Sequence, residues 1–367
     1  MNVVFRVDAS SLIGSGHLMR CLTLATILSE RSCSIFFICR EYDSSLYTLI
    51  EKQGFLVVYL PFVNSQLRNN NGLCSDEGVL NVSWQDDAQQ TIKAINSINI
   101  QPDWLIIDHY SLDTNWECAL RKHVGHIMVI DDLANRTHDC DLLLDQNFYV
   151  NMETRYEGLT PEYCQKFLGP QYLLLRSEFI KAPEILLKRT ESENRIFIFF
   201  GGSDSTHETL KALEALSILE GENFRADVVV GQANTDQKKI KKLIESMPFV
   251  NYHLQINNIA ELMMQADLAV IAGGGTIWEV CYLSLPAISI MTAENQFEAI
   301  SSLGNEGIIW NLGWHYEITS DDIATAIDNA FLDPKKLLEM GCRAKKLMGN
   351  SDGIDMIFTS MKSCDSK

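Results

Sequence analysis

Short apolar runs alternate with helical patterns along this chain, and the alternation starts twice. The first series begins at residues 3–7 and the second at the fully apolar run IFIFF, residues 196–200. An uninterrupted apolar run is typical of a strand buried on both faces of a parallel sheet. We therefore predict an α/β chain with two doubly wound, Rossmann-like domains and a ligand cleft between them, at the carboxyl ends of both sheets.

Length and the distribution of proline and glycine place the domain boundaries. The 367 residues suit two domains of ordinary size. We predict a first domain over residues 1–170, a linker over 171–189 and a second domain over 190–367. The predicted strands are residues 3–7, 34–39, 56–60, 104–108, 127–130, 142–144, 196–200, 226–230, 251–255, 266–271 and 287–291. The predicted helices are residues 17–30, 43–53, 84–96, 113–123 and 206–220, and the polar segment 64–81 is expected to be a loop.

Charge and composition exclude several classes of partner. The formal net charge is −18 and the sequence pI is about 4.8, so we expect neither nucleic acid nor a membrane surface as a partner. The sequence shows no signal-peptide pattern, no apolar stretch of the ~20 residues that a membrane helix needs, and no CxxC pair among its ten cysteines. We expect a soluble, cytoplasmic protein with reduced cysteines. The sequence does not determine the oligomeric state, and a monomer is one of the possibilities.

The first candidate motif is IGSGHLMR, residues 13–20, directly after the first strand. Gly14 and Gly16 allow a tight turn and a close approach of a ligand to the backbone. His17 opens a helix and Arg20 lies one turn later, so both side chains can face the same edge of the sheet. His17 is then either a catalytic base or a helix-capping residue, and spacing alone does not separate the two.

Two further stretches of the first domain carry carboxylates. Asp108 and Tyr110 lie at the end of a strand, where α/β proteins bind ligands, although a polar strand end before a capped helix has the same pattern. Asp139 and Asp141 have the DxD spacing of a metal–diphosphate motif. We discount that motif, because no other carboxylate or histidine is placed to complete an octahedral site. We predict neither a metal nor another cofactor.

The second domain has a glycine loop directly after its first strand. The stretch FFGGSDS places Gly201, Gly202 and Ser203 behind the apolar run. Such loops hold phosphate or hydroxyl groups through backbone amides. The stretch lacks the GK[ST] ending of a P-loop, so that class of nucleotide site is excluded.

A second glycine loop, AGGGTIWE at residues 272–279, is more informative. Three consecutive glycines weaken a helix start unless something must come close to the backbone. We predict that Gly274, Gly275 and Thr276 bind an anion there. Glu279, one turn into the helix, either accepts hydrogen bonds from ribose hydroxyls or is an ordinary surface residue.

The last motif is TAENQ, residues 292–296, at the end of a strand. Asn295 and Gln296 offer amides that suit sugar hydroxyls or N-acetyl groups, although an ordinary polar loop contains the same residues. Five of the six motifs follow strands on the predicted cleft side. That arrangement favours a ligand site at the carboxyl ends of the strands.

From about residue 3 to about residue 310, the chain resembles the UDP-2,4-diacetamido-2,4,6-trideoxy-β-L-altropyranose hydrolases of pseudaminic acid biosynthesis. The resemblance is carried, in order, by RVDASSLIGSGHLMRCLTLA, IIDHYSLDTNWE, IDDLANRTHDCDLLLDQN, YCQKFLGPQYLLLRSEF, FFGGSD and AGGGTIWEVCYLSLPAISIMTAENQ. That family has the two-domain GT-B fold and is similar to the peptidoglycan N-acetylglucosaminyl transferase.

The resemblance implies a UDP-sugar substrate and metal-independent hydrolysis of the sugar C1–O bond, with inversion and with UDP as the leaving group. Matched by motif, His17 is the catalytic base, and Tyr110 and Asn295 line the sugar pocket. The UDP is held by Gly274, Gly275, Thr276 and Glu279. The chain departs from the family at Ser205, where members often have proline, and in IAGGGT, where members have GAGGST. These departures leave the fine specificity open.

Two other functions stay open from the sequence. A GT-B glycosyltransferase would hand the sugar to an acceptor, but we find no basic patch for a membrane-bound acceptor. A non-catalytic sugar-nucleotide-binding protein would be expected to lack the histidine of GSGH, and His17 is present. Release of UDP and free sugar without an acceptor separates all three functions.

Overall fold

The computed structural model describes residues 1–9, 16–42, 47–62, 80, 82–182, 194–219, 224–256, 258–349 and 352–364. The chain divides into two compact units. The first consists of Met1–Asn147, Asn151–Leu174 and Ser351–Lys367, and the second of Phe148–Val150 and Leu175–Asn350. Each unit is built on one parallel sheet, which confirms the predicted α/β class with two Rossmann-like domains.

The first sheet has seven parallel strands in the order β3-β2-β1-β4-β5-β6-β7. Its strands are β1 Asn2–Val7, β2 Ser34–Arg40, β3 Leu56–Leu60, β4 Trp104–Asp108, β5 His126–Ile130, β6 Leu142–Asp145 and β7 Gln165–Leu168. The strand order reverses between β1 and β4. In doubly wound sheets ligands bind at the carboxyl ends of the strands that flank this reversal.

The second sheet has six parallel strands in the order β10-β9-β8-β11-β12-β13. Its strands are β8 Asn194–Phe199, β9 Phe224–Val230, β10 Val250–Leu254, β11 Leu268–Ala272, β12 Ala287–Met291 and β13 Trp310–Trp314. Here the order reverses between β8 and β11. Both glycine loops follow these two strands, so the reversal places them side by side at one edge of the sheet.

Helices connect the strands and cover the sheets. They are α1 Gly16–Glu30, α2 Thr48–Lys52, α3 Trp84–Ser97, α4 Thr114–Leu120, α5 Ser177–Lys181, α6 Glu208–Ile218, α7 Gln237–Ile244, α8 Ile259–Gln265, α9 Thr276–Tyr282, α10 Phe297–Asn305, α11 Ser320–Leu332, α12 Pro334–Met348 and α13 Gly353–Cys364. In α1, Leu18, Leu22 and Ala25 recur at helical spacing and are buried in the core beneath β1. Among the described residues, no helix combines the length and the apolarity needed to cross a membrane.

The boundary of the second domain needs a correction at its carboxyl end. Residues 190–367 were predicted to form one domain, but α13 packs on the first unit. Ile357 and Met361 of α13 are fully buried in the same core as Phe5 of β1. The reason is amphipathicity, because the apolar face of α13 is covered by the first sheet's core and not by the second.

Most predicted strands are found within one or two residues of their predicted bounds. The structure adds β7 and β13, neither of which was among the predicted strands. Two residues of β7 are exposed and every residue of β13 is half-buried, so neither has the apolar run of a central strand. The predicted helix 43–53 is described only over Thr48–Lys52, and nearly all of segment 64–81 lies outside the described residues.

A buried ionic network joins the first two strands to α3. Arg6 of β1 and Arg40 of β2 both reach the Asp87 carboxylate, with Nη2–Oδ2 distances of 2.7 and 2.5 Å. The Trp116 indole also donates to Asp87, at 2.9 Å, and Arg6 pairs with Asp8 at 2.6 Å. Burial raises the pKa of Asp87, but Arg6 and Arg40 outweigh it and hold that pKa below its usual range. Asp87 thereby satisfies two buried cations at once.

This network generates a stability prediction. We expect Asp87→Ala to lower the free energy of unfolding by about 3–5 kcal/mol, because both arginines lose a buried counter-ion. Urea titration followed by circular dichroism measures the loss. Glu153→Ala, which removes an exposed carboxylate of the same unit, should change the value by less than about 0.5 kcal/mol. Similar losses in both variants would contradict the prediction.

Candidate active site

His17 lies in the first turn of α1 and is 8% exposed. Its Nδ1 is 2.5 Å from Oδ1 of Asp108, the last residue of β4. Strands β1 and β4 are neighbours, with Val7 paired to Asp108, so the helix that follows β1 starts beside the end of β4. His17 and Asp108 therefore meet at the carboxyl edge of the sheet, a contact that the sequence analysis did not predict.

Arg20, one turn after His17, binds the same carboxylate with two nitrogens. Its Nε is 2.5 Å from Oδ2 of Asp108, and its Nη2 is 2.7 Å from Oδ1. Its remaining nitrogen, Nη1, pairs with Oδ2 of Asp132 at 2.7 Å. Burial raises the pKa of Asp108, but the charge of Arg20, and then that of His17, outweigh it and hold the pKa well below its usual range. Asp108 is therefore ionised at neutral pH.

The ionised carboxylate sets the proton positions of His17. Asp108 can only accept a hydrogen bond, so Nδ1 of His17 donates to it. In the neutral ring the lone pair is then on Nε2, which is the nitrogen able to take a proton. A histidine oriented by a buried carboxylate in this way has the arrangement of a general base.

Tyr110 completes this group of predicted residues. Its ring meets the ring of His17 edge-on, with centroids 4.5 Å apart and planes at 84°. His109, between Asp108 and Tyr110, points elsewhere: its Nδ1 accepts the Ser111 amide at 3.0 Å, and its Nε2 lies 3.2 Å from Asp8. Of the other predicted residues, Gly16 is exposed at the start of α1, and Gly14 lies outside the described residues.

Sequence reasoning missed a carboxylate group beside this site. Asp131 and Asp132 follow β5, and Asp145 ends β6, and the Tyr156 hydroxyl lies 3.0 Å from a carboxylate oxygen of both Asp131 and Asp145. Burial and then the neighbouring Asp132 charge raise the pKa of Asp145 to about 8. These three residues could have been identified from their position at strand ends, which is the criterion that we applied to Asp108.

The DxD carboxylates have an ion-pair partner. Arg121 binds Asp139 at 2.9 Å and Asp141 at 2.5 Å, and Asp141 also accepts the Ile127 amide at 2.7 Å. Within the described ranges, no group of three or more histidine, cysteine or acidic side chains is placed to hold a metal ion. Asp139 and Asp141 thus serve to join α4 to the start of β6.

The loop after β8 lies against the backbone of the loop after β9. A Cβ on Gly231, which follows β9, would collide with the backbone of Gly202. The two backbones touch, so the loop after β9 depends on glycine at this contact. Gly201 has φ +87° and open space around its Cα, and Ser203 is exposed. Gly201, Gly202 and Ser203 all remain predicted ligand contacts, and Gly202 also touches the backbone of Gly231.

In the glycine loop after β11, one glycine is required by packing and two have open space beside them. A Cβ on Gly273 would lie 2.6 Å from Ile300, so this glycine permits α10 to pack closely. A Cβ on Gly274 or on Gly275 would meet no neighbouring side chain or strand within 4 Å, and both glycines precede Thr276, the first residue of α9. Gly274 and Gly275 thus leave open space beside their backbone, as the predicted anion site requires.

Glu279 is engaged by an arginine that was not among the predicted site residues. Oε1 of Glu279 accepts from Arg176 Nε at 3.1 Å and from Nη2 at 2.8 Å. Arg176 also pairs with Glu178 at 2.6 Å. Burial raises the pKa of Glu279, and Arg176 opposes that shift. The side chain of Glu279 is 16% exposed, so it is a positioned carboxylate and not an ordinary surface residue.

Asn295 and Gln296 lie in a short turn of 3₁₀ helix, Glu294–Gln296, after β12. The Gln296 amide closes this turn, because its Oε1 accepts the Thr292 amide at 2.9 Å and its Nε2 donates to Thr292 Oγ1 at 3.1 Å. Asn295 is exposed. Gln296 therefore shapes the turn that presents Asn295.

Comparison with known proteins places this geometry in context. Residues 196–357 match the family profile of the Glycosyltransferase family 28 C-terminal domain. A UDP-2,4-diacetamido-2,4,6-trideoxy-beta-L-altropyranose hydrolase of Campylobacter jejuni is 25% identical over 308 residues, which cover 84% of this chain and 97% of that protein. The chain is a relative of that hydrolase. The resemblance inferred from the sequence motifs is thereby confirmed.

Another relative and a solved structure extend the comparison. An uncharacterised protein of Methanocaldococcus jannaschii is 26% identical over 81% of this chain, and the match spans 57% of its length. The crystal structure of MurG from Acinetobacter baumannii has a TM-score of 0.66 with 12% identity, and covers 99% of both chains. At this identity the likeness concerns the fold alone, and it confirms the predicted GT-B class.

The ionised state of Asp108 generates a prediction about stability and pH. Its folded pKa lies below the ordinary value of about 3.9, so its charge stabilises the fold at neutral pH and does so less as the pH falls through the acid range. We expect Asp108→Asn to lower the free energy of unfolding at about pH 7, and to lower it less at about pH 3. Urea titrations across this range measure the difference. Glu157→Gln, at an exposed position of the same unit, is the control. A difference that stays constant with pH would contradict the assignment.

Proposed function

We propose that this protein is a UDP-sugar hydrolase that transfers the sugar to water. The observation that carries the proposal is the His17 imidazole, held by an ionised, buried Asp108 at the carboxyl edge of the first sheet. It is supported by the named hydrolase relative, which aligns with 84% of the chain.

In the proposed reaction, Nε2 of His17 takes a proton from a water molecule as the water oxygen attacks C1 of the sugar. The bond from C1 to the diphosphate oxygen breaks, and its electron pair leaves with UDP. Attack on the face opposite the leaving group inverts the configuration at C1. Asp108 stabilises the imidazolium that forms, and Arg20 keeps Asp108 ionised while this happens.

The remaining assignments follow the chemistry of each residue. Tyr110 touches the His17 ring and is proposed to contact the sugar, as is the exposed Asn295. The open backbone at Gly274 and Gly275 suits the diphosphate, whose developing negative charge can be stabilised by oriented amides. Thr276, Gly201 and Ser203 are proposed as further nucleotide contacts, and Glu279 as the partner of the ribose hydroxyls.

The proposed substrate is UDP-2,4-diacetamido-2,4,6-trideoxy-β-L-altropyranose, and the proposed pathway is pseudaminic acid biosynthesis. Both come from the hydrolase relative at 25% identity. A GT-B glycosyltransferase is the second candidate, because residues 196–357 match a domain named for that class. The two functions differ in whether an acceptor is needed.

Incubation of the protein with the UDP-sugar in EDTA, without any acceptor, tests the proposal. We expect UDP and free sugar to appear in equal amounts, with the inverted anomer detected first by NMR. Failure to release UDP until an acceptor is added would favour the transferase. Loss of activity in EDTA that Mg²⁺ or Mn²⁺ restores would overturn the metal-independent mechanism.

The base assignment generates the first prediction on activity. We expect His17→Ala to lower kcat by about 10²–10⁴-fold, the usual loss on removing a general base. His17→Asn should be nearly as inactive, since an amide keeps a hydrogen bond to Asp108 but cannot take the proton. Stopped assays of UDP release measure kcat.

The affinity of both His17 variants for UDP is the control. UDP affinity should stay within about twofold of wild type, because UDP lacks the sugar that His17 is proposed to serve. A His17→Ala protein with near wild-type kcat would show that another group activates the water.

The ribose assignment of Glu279 generates the second prediction. We expect Glu279→Ala to raise KM for the UDP-sugar about 10- to 150-fold with a smaller change in kcat, since a ribose contact binds ground and transition states alike. Glu178→Ala is the matched control, because it removes the other carboxylate of Arg176 and leaves Glu279 in place. Equal rises in both variants would mean that Glu279 acts only by positioning Arg176.

A further inference from the structure

Three aromatic rings form a row on the second unit. The rings of Phe297 and Trp314 have centroids 6.0 Å apart and planes at 4°, and those of Trp314 and Tyr316 are 5.8 Å apart at 13°. Phe297 is 52% exposed and Tyr316 is 69% exposed. We call these three residues the aromatic row. Near-parallel rings that stay this exposed form an apolar surface, and such surfaces commonly mark binding sites.

The topology places the aromatic row at the carboxyl edge of the second sheet. Trp314 is the last residue of β13 and is paired with Met291, the last residue of β12. The chain stays in register beyond the strand, because the His315 amide donates to the Met291 carbonyl at 2.9 Å. Phe297 begins α10 directly after the Glu294–Gln296 turn. Phe297 thus directly follows the turn that presents Asn295, and Trp314 lies at the end of the neighbouring strand.

The glycine loop adjoins the same turn. A Cβ on Gly273 would lie 3.0 Å from Oε1 of Gln296, the residue before Phe297. Loop 273–275, the 294–296 turn and the aromatic row are therefore consecutive along one edge. Suppose that the diphosphate of a nucleotide sugar lies at Gly274 and Gly275 and that the molecule extends towards Asn295. The sugar that follows the diphosphate then lies along this edge.

Packing alone does not account for the row. Trp314 is half-buried and covers the edge strand, but Phe297 and Tyr316 each leave more than half of their surface in water. An exposed ring adds little to folding, since the hydrophobic gain scales with the area removed from water. Their near-parallel alignment on Trp314 extends the apolar surface outward.

We propose that the aromatic row is a sugar-binding surface that takes the apolar face of the hexose in a UDP-sugar, with its ring C–H and methyl groups. A hexose with a methyl group at C6 and acetamido groups in place of hydroxyls presents more apolar area than an ordinary hexose. The row therefore favours deoxy, N-acetylated sugars over fully hydroxylated ones. This inference rests on the proposed function for the identity of the nucleotide sugar, but concerns binding and not turnover.

Calorimetric binding on the His17→Asn background tests the inference without turnover. The ligands are UDP, UDP-glucose and the diacetamido-trideoxy UDP-sugar. We expect Phe297→Ala and Tyr316→Ala to raise Kd for the deoxy UDP-sugar about five- to tenfold, and to change Kd for UDP less than about twofold. UDP-glucose should lose less affinity than the deoxy sugar. Tyr316→Phe, which keeps the ring, should retain the affinity.

A matched control removes a tyrosine of similar exposure elsewhere. Tyr163, 64% exposed, precedes β7 at the amino edge of the first sheet, and Tyr163→Ala should leave all Kd values unchanged. Phe297→Leu keeps an apolar side chain at that position and serves if Phe297→Ala fails to fold. It should lose part of the preference for the deoxy sugar.

The outcomes separate this inference from the proposed hydrolase. If wild-type protein releases free sugar but the row variants bind the deoxy UDP-sugar as tightly as the background protein does, the inference is overturned and the hydrolase stands. If no sugar is released but the row variants selectively lose affinity for the deoxy UDP-sugar, the inference stands and the hydrolase falls. Equal losses for UDP and for the UDP-sugar would overturn the inference, since the row would then act on the nucleotide or on the fold. Absence of binding by any of the three ligands overturns both.

Discussion

The buried carboxylate of Asp108 is the group on which the candidate site of the first unit depends. A carboxylate at this depth keeps its charge only if cations and donors replace the water that it lost. Arg20 supplies two hydrogen bonds and His17 a third. Both residues lie on consecutive turns of α1, the helix that follows β1. Because β1 is paired in parallel with β4, the start of α1 lies beside Asp108 at the end of β4. One crossover thus places an oriented histidine beside a buried carboxylate at the sheet edge.

In the second unit the candidate residues also lie at the carboxyl edge of its own sheet, but their chemistry differs. Its contribution comes from backbone and apolar rings: Gly273 lets α10 approach, Gly274 and Gly275 keep space open, and Phe297 follows the next turn. This suits a chain with a net charge of −18, which repels an anionic ligand at long range. Amides bind a diphosphate locally without altering that net charge. The acidic composition is therefore compatible with a nucleotide-sugar ligand.

The sequence predicts those features that depend on neighbouring residues, and it does not predict contacts between residues far apart in the chain. The buried strands and the edge position of His17, Arg20, Asp108 and Tyr110 were predictable, because apolar runs and strand ends can be read directly. Strands β7 and β13 were not, since edge strands with exposed or half-buried residues lack that run. The pairing of Glu279 with Arg176 spans 103 positions, and no spacing rule reports a contact between side chains so far apart in sequence. The position of α13 was missed for the same reason, because its partners are the first strands of the chain.

The division between the two units bears on how the reaction class should be decided. A family 28 domain over residues 196–357 concerns the half proposed to hold the nucleotide, and that task is common to hydrolases and transferases. Activation of the nucleophile is the task proposed for His17 in the first unit, and a histidine base would serve for either water or a sugar hydroxyl. Likeness of the second unit to transferases therefore carries no weight for transfer. The hydrolase relative aligns with 84% of the chain and 97% of its own length, so that alignment extends beyond the domain match over residues 196–357. The hydrolase is our first proposal, and acceptor-free release of sugar is the measurement that decides between it and the transferase.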